Sequence, residues 1–444
     1  MPTLATPDLA SLAWTSEEGI VRARTGLVVL VMLALGTAAC DSSPSDRTSR
    51  PPATQAGGHA GHQGAATPAT PKDLAAQVEQ YFAQHTLLAV RQMRSVLTAT
   101  PDYRKAADAE LREYTGGLSQ VVAAAYDDAT GDRFGRLWQR SITDFTSYAD
   151  ALAGNDAAGR QAARAALAAD ADAYGAWLAG ASKGRVKAGD AAAVMRTHVQ
   201  QLMAQADAYA ARDYATAYRI EREAYEHMFS AGTALAKASL PAKDAAGLDG
   251  PVAKLRSAFA MLLGEHMQLI IDAQRATFAG AAEFKAAAAQ VNANTAALTK
   301  GMGAIVGPKK AVEFEDAWAE HVEGLLDYST AVAGNDEAGK ATAREEMRGY
   351  GARLALYLSD IVRNELPLEP LTAALGEHDQ HLVDQVNAYA AKRYGEAQEM
   401  ELEGYEQMLG VANTLVAAIQ RTVKPALPVG GSQTGGGGTA TRRR

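Results

Sequence analysis

The chain has 444 residues, a formal net charge of -8, much alanine and only 6% aromatic residues. That length suits two or three domains with cores of their own, and abundant alanine with few β-branched residues favours helix over sheet, so the expected fold is all-α. Charges of both signs are interspersed, and the one run, Arg442, Arg443 and Arg444, gives no basis for nucleic-acid binding.

At the N-terminus, Arg22 and Arg24 precede an apolar stretch from Leu27 to Leu35, followed by Gly36, Thr37, Ala38, Ala39 and Cys40. The stretch is too short to remain as a bilayer-spanning helix and resembles a bacterial lipoprotein signal peptide. The resemblance implies a leader over residues 1–39, cleavage before Cys40 and a lipid on that cysteine. The protein is therefore expected outside the cytoplasm, anchored to the cell membrane. Thr37 departs from the usual leucine, which leaves ordinary cleavage after Ala39 as the alternative. Glu17 and Glu18, with no basic residue among the first twenty, suit a true start near Val21. Cys40 is the single cysteine, so an intramolecular disulfide and a cysteine-built metal site are both excluded.

Residues 40–70 are rich in Ser, Pro, Thr, Gly and Ala and read as a flexible tether. His59 and His62 fall within it, and a His-x-x-His in such a segment is read as solvated rather than as a metal site. The glycine-rich end, 426–444, reads as a disordered tail.

Between these ends the chain repeats itself with a shift of about 180 residues. Ala208-Tyr209-Ala210-Ala211 returns as Ala388-Tyr389-Ala390-Ala391. Glu223, Tyr225, Glu226 and Met228 return as Glu403, Tyr405, Glu406 and Met408; Phe134, Trp138 and Tyr148 as Phe314, Trp318 and Tyr328. The Ala-Gly-Asn-Asp at 153–156 recurs at 333–336, and the first helix needs one extra residue, with His85 opposite His266. The expected copies are 71–248 and 249–425. Each breaks into about six helical stretches at shared punctuation: Pro71 and Pro251, Asp102, Asp128 and Pro308, Asn155 and Asn335, Asp190 and Pro370. Short connections make neighbouring helices antiparallel, so each copy is predicted to be an up-and-down bundle.

Seven of the nine histidines lie in the copies. His85 matches His266 in the first helix, and His198 matches His378 in the fifth. His227 in the sixth helix faces Gln407, His321 in the third faces Ser141, and His381, opposite Gln201, reads as a surface residue. Helical spacing puts the first six on apolar stripes: His378 with Leu371, Leu382 and Tyr389, His321 with Trp318, Leu325 and Tyr328. Each stands 8 to 15 residues into its helix, about 12–22 Å along the axis. Three imidazoles could thus meet at mid-height in each copy: His85, His198 and His227 in one, His266, His321 and His378 in the other. Burial of several imidazoles demands a partner for each, which a metal ion can supply. Nitrogen donors with an available carboxylate, Glu223 or Glu403, suit copper, zinc or iron rather than calcium or magnesium. Met228 and Met408, one residue past the sixth-helix position, are read as core.

The segments Leu263-Gly264-Glu265-His266, Ala317-Trp318-Ala319-Glu320-His321 and Tyr225-Glu226-His227-Met228 resemble a duplicated helical repeat of exported proteins in bacilli and actinobacteria, some labelled copper amine oxidase-like. The resemblance spans most of residues 72–424, adds weight to copper and implies no catalytic residue. Two functions follow. One is a lipid-anchored protein that binds a metal ion or small ligand in each copy; the other is a structural or interaction lipoprotein whose histidines fill the core. An enzyme has little support, since no nucleophile motif, phosphate loop, His-Glu-x-x-His or Glu-x-x-His pair is present.

Overall fold

The computed structural model describes residues 70–98 and 100–422. The leader, Cys40, the tether histidines and the tail lie outside the described residues. Among the described residues there are thirteen helices and no strand, so the protein is all-α. The first copy holds α1 (Pro71–Leu97), α2 (Pro101–Ala125), α3 (Asp128–Ala153), α4 (Ala157–Ala181), α5 (Ala188–Ala210) and α6 (Tyr214–Ser239). A short α7 (Ala242–Gly247) leads to the second: α8 (Pro251–Ala279), α9 (Ala281–Val306), α10 (Pro308–Ala333), α11 (Glu337–Ile361), α12 (Leu368–Ala390) and α13 (Tyr394–Thr422). None of these is long and apolar enough to cross a membrane.

Local chemistry sets the helix starts. Pro71, Pro101, Pro251 and Pro308 occupy first helical positions, where a missing N–H costs nothing. The repeated Ala-Gly-Asn-Asp is the turn between third and fourth helices. Asn155 and Asn335 both take φ 53°, and the carboxylates of Asp156 and Asp336 accept from the Gly159 and Gly339 N–H at 2.9 and 3.0 Å. The positive φ thus falls on asparagine, whose short polar side chain tolerates it. Asp190 and Pro370, expected as starts, sit inside the first turns of α5 and α12.

Each copy is wound around its first helix. From Phe82 to Val96 in α1, and from Leu263 to Ala276 in α8, every residue is buried. Consecutive helices pack in pairs, and the first helix also packs against the third, fifth and sixth of its own copy. Enclosure on all sides also buries the polar residues of these two helices, His85, Arg91 and Arg94 in α1 and His266, Asp272 and Arg275 in α8, so each needs a partner within the protein.

The two copies pack reciprocally: α6 lies on α9, and α13 on α2. Tyr225 and Tyr405, matched residues of the repeat, meet with hydroxyls 2.8 Å apart, and Gly264 makes room, since a Cβ there would stand 2.8 Å from the Tyr225 Oη. Alongside runs a buried ionic layer. Arg94 pairs with Glu221, and Arg275 with Glu401 at 3.0 Å, the same pair in each copy. Between them the repeat is broken: Arg91 occupies the position that Asp272 holds in α8. Arg91 bonds Gln268 and contacts Glu401, while Arg94 reaches Asp272 at 3.2 Å.

Candidate metal centre

In the second copy the histidines converge. α8, α10 and α12 bring His266, His321 and His378 to one level, all buried, with one nitrogen from each lying within 4.8 Å of those from the other two. Ring centroids are 5.6–6.0 Å apart. Both ring nitrogens of His266 and of His378 lack a hydrogen-bond partner. A buried unsatisfied polar group costs about 1–3 kcal/mol, so two imidazoles left this way are a standing penalty. Burial lowers all three pKa values, that of His321 to about 4, with the neighbouring imidazoles adding to the effect on His266 and His378. The rings are neutral at physiological pH, the state in which a nitrogen lone pair can bind a metal. Nitrogens around a metal with bonds near 2.05 Å are about 3.4 Å apart, so closure requires movements of about 1 Å.

Residues around the trio extend its chemistry. The Asp379 carboxylate lies 3.3 Å from His321 Nδ1, in the place from which an acid orients a metal-binding imidazole. Burial raises its pKa to about 8. The Trp318 ring stands 4.6 Å from His266, and its Nε1–H has no partner. Beside His321 and His378 is a cavity of about 20 Å³, walled by apolar side chains that include Met302, Trp318 and Met408.

The first copy does not form this arrangement. His85 and His198 are neighbours, with centroids 6.2 Å apart. His85 Nδ1 accepts from Trp138 Nε1 at 3.1 Å, so one of its lone pairs is occupied. Ser141, matched to His321, donates to Asp170 at 3.0 Å. His227 is half-buried at the rim, with Nε2 3.0 Å from the Val194 carbonyl. Its match, Gln407, donates to the carbonyl of Ala374, the match of Val194, at 3.3 Å. Imidazole and amide thus perform one structural task, and the sixth-helix position is not part of a histidine layer.

The carboxylates expected as ligands are placed elsewhere. Glu223 is exposed and paired with Arg219 one turn away. Glu403 is exposed and lies 3.8 Å from His381 Nε2. Spacing along one helix put Glu223 on the His227 face, but His227 itself sits at the edge of that face. His381 bonds Gln407 at 3.2 Å and is half-buried rather than fully exposed. Asp379 was missed because it follows His378 directly and so points about 100° away along the helix. The comparison with Val199, its match, could have revealed it: an acid replaces valine at a buried position.

The cavity has a similar origin. Phe82 and Tyr174 of the first copy correspond to Leu263 and Leu354, both in the cavity wall. The two rings help to fill the first copy's core, where Phe82 meets Trp138 in a tilted contact and Tyr174 meets it edge-on. Comparison of the chain with protein-family models, with curated proteins and with solved structures finds no match.

Proposed function

We propose that the protein is an extracytoplasmic, lipid-anchored binding protein that holds one transition-metal ion, copper or zinc, between His266, His321 and His378. The observation that carries this reading is the convergence of three buried neutral imidazoles, two of them without any hydrogen-bond partner. A metal ion supplies what the surrounding side chains do not, a partner for each ring at once. The export and anchoring part rests on the leader-like residues 22–40. The first copy serves as scaffold, because Ser141 stands where the second copy has His321. There His85 and His227 are bonded to Trp138 and to the Val194 carbonyl, which leaves His198, with neither ring nitrogen partnered, as a lone open imidazole.

The test is elemental analysis after loading with copper or zinc, followed by desalting. One ion per chain is expected, with none in His321→Ser, which installs the residue that the first copy has there. Binding to the folded state alone also raises stability, by roughly 4 kcal/mol at a thousandfold excess over Kd. A protein that retains neither metal, and whose melting temperature neither metal changes, overturns the proposal.

A further inference from the structure

Resting on that reading, we infer that the ion is cuprous copper and that the Met408 thioether is its fourth neighbour. Met408 and Met302, both almost fully buried, share the wall of the cavity that His321 and His378 also line. It is the open space that adjoins two of the three rings, and Met408 is the thioether on the sixth helix of the same copy that reaches it. Its volume, about 20 Å³, leaves room for about one water, and a water is stable in such a space only with two or more polar partners. The rest of the wall is Leu, Phe, Val and Trp318.

The possible ions differ in what they need there. Zinc with three histidines keeps a water or hydroxide in its fourth position, and here the protons of that water would face hydrocarbon and sulfur. A cuprous ion takes imidazole nitrogens and soft thioether sulfur without water. Charge points the same way. Among the described residues the carboxylate against the trio is Asp379. The nearby Glu265 is bound by Arg222 and Asn294, and Glu320 by Arg353. With three neutral rings and Asp379 as the one adjoining acid, a divalent ion leaves more buried charge uncompensated than a monovalent one, which is costly. Binding forms nitrogen–copper and sulfur–copper bonds with no change of oxidation state.

The experiment uses the folded full chain under anaerobic conditions, titrated with cuprous ion against a colorimetric cuprous chelator and separately with zinc against a zinc chelator. The expected result is one cuprous ion per chain, held at least about a hundredfold more tightly than zinc, a difference of about 2.7 kcal/mol. Met408→Leu, close in volume, should weaken cuprous binding about tenfold, or about 1.4 kcal/mol, and leave zinc binding unchanged. Sulfur should appear among the copper neighbours in X-ray absorption of the unmutated chain. Zinc held more tightly than cuprous ion and lost in His321→Ser overturns the cuprous assignment but keeps the metal site. Unchanged cuprous affinity in Met408→Leu, with no sulfur neighbour, overturns the thioether. Retention of neither ion overturns this inference and the metal-binding proposal together.

Discussion

The first and second copies place histidines on the same two helices and treat them differently. In the first, Trp138 donates to His85 and Ser141 is tied to Asp170; in the second, Trp318 has no partner and the Ser141 position is His321, backed by Asp379. A few replacements, Ser141 by His321, Val199 by Asp379, Phe82 by Leu263 and Tyr174 by Leu354, separate a packed aromatic core from a layer of open donors beside a cavity. The scaffold tolerates both. What distinguishes the copies is how many open imidazoles meet: His198 stands alone in the first with both ring nitrogens unpartnered, whereas His266 and His378, equally open, are joined by His321 in the second.

Four experiments break or sharpen this contrast. The largest effect is expected in metal loading: His321→Ser should lower affinity by more than a hundredfold, over 2.7 kcal/mol, whereas His198→Ala should leave the stoichiometry at one. Dialysis with elemental analysis separates the two, and equal losses in both would merge the copies again.

The second concerns acid. A histidine whose folded-state pKa is depressed binds fewer protons folded than unfolded, so stability falls as pH drops below 6.5 and continues to fall to the folded pKa. For His321 that window runs from 6.5 to about 4, and each pH unit costs up to about 1.4 kcal/mol. Metal-free His321→Ser should therefore lose less stability than the unmutated chain, by about 3 kcal/mol in total. Urea melts between pH 7 and pH 4.5 measure it; parallel curves would show that His321 does not titrate in this way.

Third, Trp138→Phe strands a buried imidazole that Trp318→Phe does not. Beyond the packing loss common to both, the first should cost about 1–3 kcal/mol more in the metal-free protein. Denaturant midpoints decide this, and equal losses would mean that the His85 bond contributes nothing. The smallest effect is for His227→Gln, which copies Gln407. A change within about 0.5 kcal/mol is expected, with metal content unaltered; a lost ion would return His227 to the site.

Much of this was legible in the sequence. Helix class, the duplication, the shared punctuation and the inward direction of His85, His198, His266, His321 and His378 all follow from spacing, because burial on a helix has a period. What spacing cannot supply is the identity of the group on the facing helix. His227 was grouped with the ligands because its own helix puts it near the apolar face, yet the Val194 carbonyl that holds it belongs to α5. Glu223 and Glu403 followed the same logic and lie exposed. The opposite error hid Asp379 and the charged layer. Arg91, Arg94, Asp272 and Arg275 interrupt apolar stretches as surface residues do, and only the enclosure of α1 and α8 on every side buries them.

That layer bears on how the molecule came to be fixed as a single chain. Two identical copies, set face to face in this way, would bring Arg91 against its own twin, or Asp272 against its own, at a buried place where Arg91 now stands 3.9 Å from Asp272. With arginine in one half and aspartate in the other, each half instead recognises its sibling and rejects itself. The tandem chain is thus a matched couple, in which the buried charge of neither half can stand in for that of the other.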